Sequence, residues 1–372
     1  MTQAARQTSG KVNQASIQQS IEQHLAMLIS HDTCNPPREI CFTDPLFIGL
    51  ERFFKAWGFK VTMADFADGR VAFYALRGQP KVLFNVHLDT VPVSDDWRHD
   101  PFTLVKENNR YHGRGVCDIK GAAACLMALA ERSSADMAVL FTTDEEGTNS
   151  CCVEQFISGH DLSVFHQVVV AEPTGCHAVL EHRGYASAHG EFSGISGHSS
   201  SLNALAGNAV HQAAQWLNQA TGFAANARTK DNPAGVCFNL GYITGGEKNN
   251  MIAASCQLGF SVRVPAGQSS QGVYQQLTKG LDNHASWYTS MLAPALPEQA
   301  GMSVESLAFC QKHDLPVGQP VDFWTEAALF SQAGIPALVL GPGDIAQAHT
   351  VDEWVAEEQL LNCYHLYAGL LS

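Results

Sequence analysis

The chain of 372 residues lacks the features expected of a nucleic-acid-binding or membrane protein. Lys and Arg number 22 against 36 Asp and Glu, which gives a net charge of −14. A nucleic-acid-binding surface needs clustered basic residues, so this balance argues against that class. Apolar runs of the roughly 18 residues needed for a transmembrane helix are missing as well, so we expect no membrane partner. The composition favours a globular protein with an acidic, solvated surface.

The eleven cysteines show neither the spacing of a disulfide framework nor that of a zinc ribbon. Their number is odd, no Cys-x-x-Cys pair occurs, and a chain of this length can bury a core without cross-links. The first 20 residues are polar and contain no apolar segment typical of a secretory signal. We therefore expect reduced cysteines and a cytoplasmic protein.

Short apolar runs alternate with helical patterns through the first half of the chain. Residues 1–15 show neither pattern, and we expect them to form a loose tail. Helical spacing of apolar residues occurs at 17–29, 46–57 and 121–132. Strand-like runs occur at 71–76, 82–86, 137–142 and 167–171. This alternation predicts an α/β fold with a largely parallel sheet flanked by helices.

The pattern changes near residue 183. It then predicts strands at 185–192, 236–243 and 254–264 and helices at 203–220 and 271–283. This order indicates a small, ferredoxin-like α+β sandwich, and the apolar run at 337–340 indicates a return to the first domain. We therefore predict a discontinuous catalytic domain of residues 1–182 and 289–372, interrupted by an inserted domain of residues 183–288.

Two polar segments directly follow apolar strands, and each carries candidate metal ligands. His87 and Asp89 follow the strand 82–86, and their spacing puts both side chains on one face of an extended chain. Alone, such a pair is more often a buried histidine satisfied by its neighbour. Glu145 and Glu146 follow the strand 137–142. Adjacent acids usually form a solvated turn, but here one could bind a metal while the other carries a proton.

Three further residues could complete a site for two metal ions. Asp118 lies between a glycine-rich turn and an alanine-rich helix, where it could bridge two metals or simply cap the helix. Glu172 follows the strand 167–171, and His349 follows a Gly-Pro-Gly loop. Either could be an ordinary surface group if considered alone. Because α/β folds place their sites at the carboxyl ends of parallel strands, the whole set favours a two-metal hydrolase.

Together these motifs resemble the M20 metallopeptidase family over almost the whole chain, from about Leu25 onwards. The segments 115–121, 321–327 and 341–350 are similar to its acetylornithine and acetylcitrulline deacetylase branch. The resemblance implies a metal-dependent amidohydrolase that removes the acetyl group from a small-molecule N-acetyl amino acid. The first expected substrate is N2-acetyl-L-ornithine, in arginine biosynthesis. N-acetyl-L-citrulline is the alternative, followed by desuccinylase or dipeptidase substrates.

The resemblance also implies a role for each candidate residue in the first domain. One metal, zinc or cobalt, takes His87, Glu172 and the bridging Asp118. The second metal takes Glu146, His349 and the same Asp118. Asp89 supports His87, and Glu145 acts as the general base. A scaffold protein with a dead site is a competing hypothesis, but the complete ligand set and the retained Glu145 argue against it.

The inserted domain carries three residues to which the resemblance assigns contacts with the substrate. His198 stabilises the tetrahedral oxyanion, often from the partner subunit, so the resemblance implies a homodimer formed through this domain. Asn250 lies in a loop similar to the family's GGxxxNxI motif, with Ala253 where the family usually has proline. Arg263 binds the substrate carboxylate, although Ser261 replaces the acidic residue that the family has two positions earlier.

Overall fold

A computed structural model of the chain describes residues 3–37, 39–147, 151–230, 233, 235–280, 285–298 and 301–371. The chain divides into two compact units. The first comprises Met1–Leu180, Ser303–Pro320 and Thr325–Ser372, and the second comprises Glu181–Met302 and Val321–Trp324. The predicted mixed α/β architecture with a mostly parallel sheet flanked by helices is confirmed.

Helices and strands follow one another along the chain in three stretches. The first stretch contains α1 (Gln3–Ile29), α2 (Pro45–Ala56), β1 (Lys60–Asp65), β2 (Val71–Arg77), β3 (Val82–His87), β4 (Val105–Glu107), β5 (Arg110–His112), α3 (Lys120–Arg132), β6 (Met137–Thr142), α4 (Cys151–Gly159) and β7 (Gln167–Val170). The second contains β8 (Gly184–Ser193), β9 (Gly197–His198), α5 (Ala209–Asn226), β10 (Cys237–Gly245), β11 (Met251–Ile252), β12 (Ser255–Val264), α6 (Ser270–Gln275) and β13 (Ala285–Ala293). The third contains α7 (Met302–Lys312), α8 (Ala327–Gln332), β14 (Ala337–Val339), β15 (Trp354–Ala356) and α9 (Glu357–Gly369).

The main sheet of the first unit has the strand order β1-β2-β6-β3-β7-β14. The strands β6, β3, β7 and β14 are parallel to one another, whereas β1 and β2 are antiparallel to their neighbours. Every residue of β3, β6 and β7 is buried, as expected for parallel strands covered on both faces. Their carboxyl ends lie side by side at one edge of the sheet, because β3 pairs with both β6 and β7.

Helices cover both faces of this sheet. The helix α3 contacts α1 and α9, and these three helices share a core with β3 and β6. Phe54 of α2 packs against Phe73 and Phe141, which belong to β2 and β6. Tyr74, the next residue along β2, contacts Phe156 of α4 instead, because successive strand residues point to opposite faces. Within the described residues, no helix is both long and apolar enough to cross a membrane.

The second unit contains a four-stranded antiparallel sheet in the order β10-β12-β8-β13. The helices α5 and α6 contact this sheet, and Trp216 of α5 is fully buried between aromatic side chains of β8, β10, β12 and β13. Beyond the pair formed by Ser193 at the end of β8 and Ser255 at the start of β12, the short strands β9 and β11 pair with each other. The two-stranded ribbon formed by β8 and β12 therefore continues, as β9 and β11, past the end of the four-stranded sheet.

Several sequence-based element assignments were wrong. The expected loose tail at residues 1–15 is helical from Gln3, as a continuation of α1, whose apolar residues from Ile17 onwards are buried in the core. The helix predicted to start at residue 203 starts at Ala209, because the side chain of Asn208 caps it by accepting from the amides of Val210 and His211. The strands β1 and β13 were not predicted. Residues 281–283 of the predicted helix 271–283 lie outside the described residues.

Candidate metal centre

The candidate ligands of the first unit come from the carboxyl ends of neighbouring strands and from two loops. His87 is the last residue of β3, Glu145 and Glu146 follow β6, and Glu172 follows β7. His87 lies opposite Thr142 in the parallel register, which brings the ends of β3 and β6 together. The loops preceding α3 and β15 supply Asp118 and His349. The sheet therefore brings these side chains to the carboxyl ends of its parallel strands, which is where α/β folds usually place a functional site.

A first group of possible ligands consists of His87, Asp118 and Glu172, all of them buried. The Nε2 atom of His87 lies 3.1 Å from Asp118 Oδ1 and 3.7 Å from Glu172 Oε1. On the other side of the ring, Nδ1 lies 2.9 Å from the backbone oxygen of Asp89. This contact leaves Nε2 directed at the two carboxylates, which is the orientation that a metal-binding imidazole needs.

A second group consists of Asp118, Glu146 and His349. The Nε2 atom of His349 lies 2.9 Å from Glu146 Oε1 and 3.3 Å from Asp118 Oδ2. Asp118 therefore contributes one carboxylate oxygen to each group, Oδ1 towards His87 and Oδ2 towards His349. A carboxylate shared in this way is suited to bridging two cations.

Asp89 connects the end of β3 to the loop after β6. Its Oδ2 atom accepts a hydrogen bond of 2.9 Å from the backbone amide of Glu146, while its backbone oxygen contacts His87. Asp89 is fully buried, so both contacts are shielded from water. One residue thus fixes the ring orientation of a ligand from the first group and the backbone of a ligand from the second.

The carboxylates of the site change the proton affinity of its histidines. Burial alone would lower the pKa of His87, but Glu172, Asp118 and Asp89 raise it well above its ordinary value. Hydrogen bonds with Asp118 and Glu146 raise the pKa of His349 to about 10. Burial opposes ionisation of Asp118, yet its hydrogen bonds with both histidines hold its pKa well below the usual range. Such a cluster strongly favours a cation, whether a proton or a metal ion.

The donor set fits a pair of divalent metal ions. Imidazole and carboxylate ligands suit zinc, cobalt and manganese, and neither group contains a thiolate. The buried Oε1 atom of Glu172 accepts no hydrogen bond from the described residues, and the same is true of Asp89 Oδ1. Buried carboxylate oxygens without donors are costly unless a cation satisfies them. The residues present are therefore consistent with a dinuclear site.

Glu145 belongs to neither ligand group, although it is adjacent to Glu146 in the chain. Burial raises the pKa of Glu145 well above its ordinary value, and the nearby carboxylates of Glu172, Glu146 and Glu326 raise it further. A carboxylate with increased proton affinity beside the metal ligands has the properties of a proton acceptor. Glu146 thus belongs to a group of possible ligands, whereas Glu145 belongs to none among the described residues.

Two buried glutamates near the site were not singled out by the sequence analysis. Glu326 accepts hydrogen bonds from Asn85 Nδ2 at 2.6 Å and from Thr142 Oγ1 at 3.1 Å. Glu353 accepts hydrogen bonds from the backbone of the loop that carries Asp118. The sequence gives little indication of either residue. Glu326 lies in the segment Trp-Thr-Glu-Ala, and Glu353 lies four residues after His349.

In the second unit, His198 and Asn250 lie close together. His198 of β9 pairs with Met251 of β11, and the amide of Ser199 donates to the backbone oxygen of Asn250 at 3.0 Å. The His198 ring is exposed, and its Nδ1 atom lies 2.8 Å from Ser200 Oγ. The loop similar to the family's GGxxxNxI motif and the histidine thus form one local structure.

Arg263 lies at the opposite end of the same β ribbon. It pairs with Tyr185, and its guanidinium carbon is 4.5 Å from the centre of the Tyr185 ring. Eight residue steps separate Ser255 from Arg263 along β12, which corresponds to about 26 Å at 3.3 Å per residue. Because β9 and β11 lie beyond the Ser255 end of the ribbon, Arg263 of one chain is far from His198 of the same chain.

Comparison with known proteins places this arrangement in a family. The model of peptidase family M20/M25/M40 matches residues 83–372. N-acetyl-L-citrulline deacetylase of Xanthomonas campestris pv. campestris is 42% identical, over 91% of this chain and 93% of that protein. Acetylornithine deacetylase of Vibrio vulnificus is 31% identical, over 82% of this chain and 85% of that protein.

A solved structure supports the same assignment at the level of the fold. The dinuclear metal binding peptidase of the M20 family from Bacillus subtilis superposes with a TM-score of 0.63, at 12% identity, over 96% of this chain and 98% of that one. Since the family model also spans most of the sequence, including every candidate ligand, this protein belongs to peptidase family M20/M25/M40.

Proposed function

We propose that the protein is a metal-dependent deacetylase of N-acetyl amino acids. The observation that carries this proposal is the pair of ligand groups joined by Asp118, with Glu145 beside them but in neither group. The relatives at 42% and 31% identity, both deacetylases, support an acetylated amino acid as the substrate. The reaction breaks the amide C–N bond, adds water across it, and releases acetate and the free amino acid.

The residues of the first unit would hold the metals and move the proton. His87, Glu172 and Asp118 would bind one ion, and Glu146, His349 and Asp118 the other. Zinc and cobalt are the proposed metals, and when bound they supply the positive charge that polarises the acetyl carbonyl and lowers the pKa of water. Glu145 accepts a proton from the attacking water and afterwards returns it to the leaving nitrogen. Asp89 keeps His87 and the Glu146 backbone in place throughout.

Arg263 would bind the α-carboxylate of the substrate. Among the described residues it forms no ion pair with a carboxylate, and the acidic residue that the family has two positions earlier is Ser261 here. The guanidinium is oriented by its stacking on Tyr185, so it can present two donors to an incoming carboxylate. This contact would fix the acetyl carbon relative to the attacking water.

His198 would donate a hydrogen bond to the oxygen that becomes negatively charged as the carbonyl carbon turns tetrahedral. An N-acetyl amino acid is much shorter than the roughly 26 Å that the β12 register places between the two ends of the ribbon. Arg263 and His198 of one chain therefore cannot contact the same substrate molecule. We accordingly propose a homodimer, formed through the predicted inserted domain 183–288, in which each substrate contacts Arg263 of one copy and His198 of the other, with Asn250 beside that histidine.

The two candidate substrates differ in their amino-acid side chain, which is that of ornithine or of citrulline. The sequence resemblance implies N2-acetyl-L-ornithine as the first substrate and N-acetyl-L-citrulline as the alternative. The higher identity and longer coverage of the citrulline enzyme favour the second substrate. Values of kcat/KM for N-acetyl-L-citrulline, N2-acetyl-L-ornithine, N-acetyl-L-methionine and N-succinyl-diaminopimelate, with zinc and with cobalt, test both levels of the proposal. The highest value for an acetylated substrate supports deacetylation, whereas the highest value for the succinylated one refutes it.

A further inference from the structure

Glu353 is a buried carboxylate whose four hydrogen bonds all come from one short segment. Its Oε1 atom accepts from the amides of Cys117 at 2.8 Å and Asp118 at 3.0 Å. Its Oε2 atom accepts from the amide of Gly115 at 2.9 Å and from Arg114 Nη1 at 2.9 Å. A carboxylate offers about four acceptor positions, so the segment 114–118 occupies the full capacity of this side chain.

The segment that Glu353 holds is the one that delivers Asp118. The backbone amides of Gly115, Cys117 and Asp118 donate hydrogen bonds to this carboxylate instead of to a strand or helix partner. Gly115 has a φ of +86°, and a Cβ atom there would lie 2.9 Å from Thr90 and 3.0 Å from Lys120. The loop therefore needs glycine at position 115, and its backbone amides point towards the Glu353 carboxylate.

Glu353 also follows His349 by four residues in the chain. Its backbone oxygen accepts from the amide of Gly113 at 3.2 Å, and Arg114 Nη1 lies 3.4 Å from the backbone oxygen of Thr350. The pair of Arg114 and Glu353 thus connects the loop of Asp118 to the loop of His349. These two ligands meet at 3.3 Å, between Asp118 Oδ2 and His349 Nε2.

We propose that Glu353 is a positioning residue for the dinuclear site, which sets the location of the bridging Asp118 and its spacing from His349. The inference rests on the metal site proposed above. Residues that orient metal ligands from behind typically change metal affinity by about 10- to 100-fold when they are mutated. The effect should be largest for the ion bound by Asp118, Glu146 and His349, because the loops that carry Asp118 and His349 both contact the Arg114–Glu353 pair.

The test is Co²⁺ binding to metal-free protein, measured by titration calorimetry and by the visible absorption of the bound ion. Glu353→Gln keeps the size of the side chain but places an amide NH₂ group against donors. We expect it to weaken the binding of at least one of the two Co²⁺ ions by roughly tenfold or more. Glu353→Asp, which keeps the charge, should recover part of that loss.

Arg77→Met is the matched structural control. Arg77 donates to four backbone oxygens and lies at the end of β2, opposite Met137 at the start of β6. That is the end of β6 away from Glu145. We expect this variant to lower the Tm of the metal-free protein while both Co²⁺ affinities stay within about twofold of wild type.

The outcomes separate this inference from the metal site itself. Wild-type protein that binds no Co²⁺ refutes the dinuclear site. Wild type that binds two ions while Glu353→Gln binds both equally tightly refutes only the positioning role. If Glu353→Gln does not fold, Arg114→Met, which removes one of the four hydrogen bonds, takes its place. A three- to tenfold loss of affinity for at least one Co²⁺ ion is then the expected result, and unchanged affinity for both ions overturns the inference.

Discussion

Replacing Glu145 with Gln should separate proton transfer from metal binding. The substitution keeps the size of the side chain and removes its ability to accept a proton. Glu145 belongs to neither ligand group, so both metal ions should still bind. A general base contributes roughly 10²- to 10⁴-fold to the rate. At 1.36 kcal/mol per tenfold, we expect a loss of about 3 to 5 kcal/mol of transition-state stabilisation, seen in kcat.

The adjacent residue provides the matched comparison. Glu146→Gln removes an anionic oxygen that lies 2.9 Å from His349 Nε2, so this variant should lose one metal ion. We would measure kcat with N-acetyl-L-citrulline at saturation and metal content by mass spectrometry after gel filtration. Glu145→Gln with low kcat and two metals, beside Glu146→Gln with one, is the expected pair of results. The reverse pattern would mean that the base and the ligand have been exchanged in our assignment.

Three further predictions concern substrate binding and the charge of the site. Arg263→Ala should raise KM steeply for N-acetyl-L-citrulline, and wild-type enzyme should discriminate against the α-amide of that substrate; equal turnover of acid and amide would exclude the carboxylate contact. The His198→Ala and Arg263→Ala variants should each be nearly inactive. If each site uses His198 of one copy and Arg263 of the other, an equal mixture of the two variants that has exchanged subunits should regain about a quarter of wild-type activity. No recovery in a demonstrated heterodimer would mean that both residues act in the same chain's site. Metal binding should release protons and weaken as the pH falls from 8 to 6, because the carboxylates raise the pKa of His349 to about 10 and protons compete with the metal for its ring. Calorimetry in buffers of different ionisation enthalpy measures both the metal affinity and the number of protons released. An affinity that does not change with pH would refute this prediction.

The parts of the fold that the sequence revealed are those dominated by local pattern. The strands β3, β6 and β7 are continuous apolar runs, because both of their faces are buried. Since they are parallel, the polar residues that follow them had to meet at one edge. His87 and Glu172 could therefore be expected to lie together, and the structure places them 3.7 Å apart. The helical start of α1 was missed, since its first turns show little amphipathic pattern.

The contacts that the sequence could not reveal link distant segments through backbone atoms. Glu353 binds amides of residues 235 to 238 positions earlier in the chain, and an amide is the same whatever its side chain. Glu326 reaches Asn85 across 241 positions. The separation of Arg263 from His198 also depends on strand register, because it follows only once β12 is known to be extended between them. Sequence motifs identify the residues that bind metal or transfer protons, whereas the residues that hold them in position are identified only from the tertiary structure.

The proposed metal dependence can be measured as deacetylation by metal-free protein during stepwise addition of Zn²⁺ or Co²⁺. Chelated protein should hydrolyse neither N-acetyl-L-citrulline nor N2-acetyl-L-ornithine. Activity should then rise with added metal and level off at two ions per chain, because the two ligand groups share only Asp118. Full activity in protein shown to contain no metal would rule out a metal-dependent deacetylase.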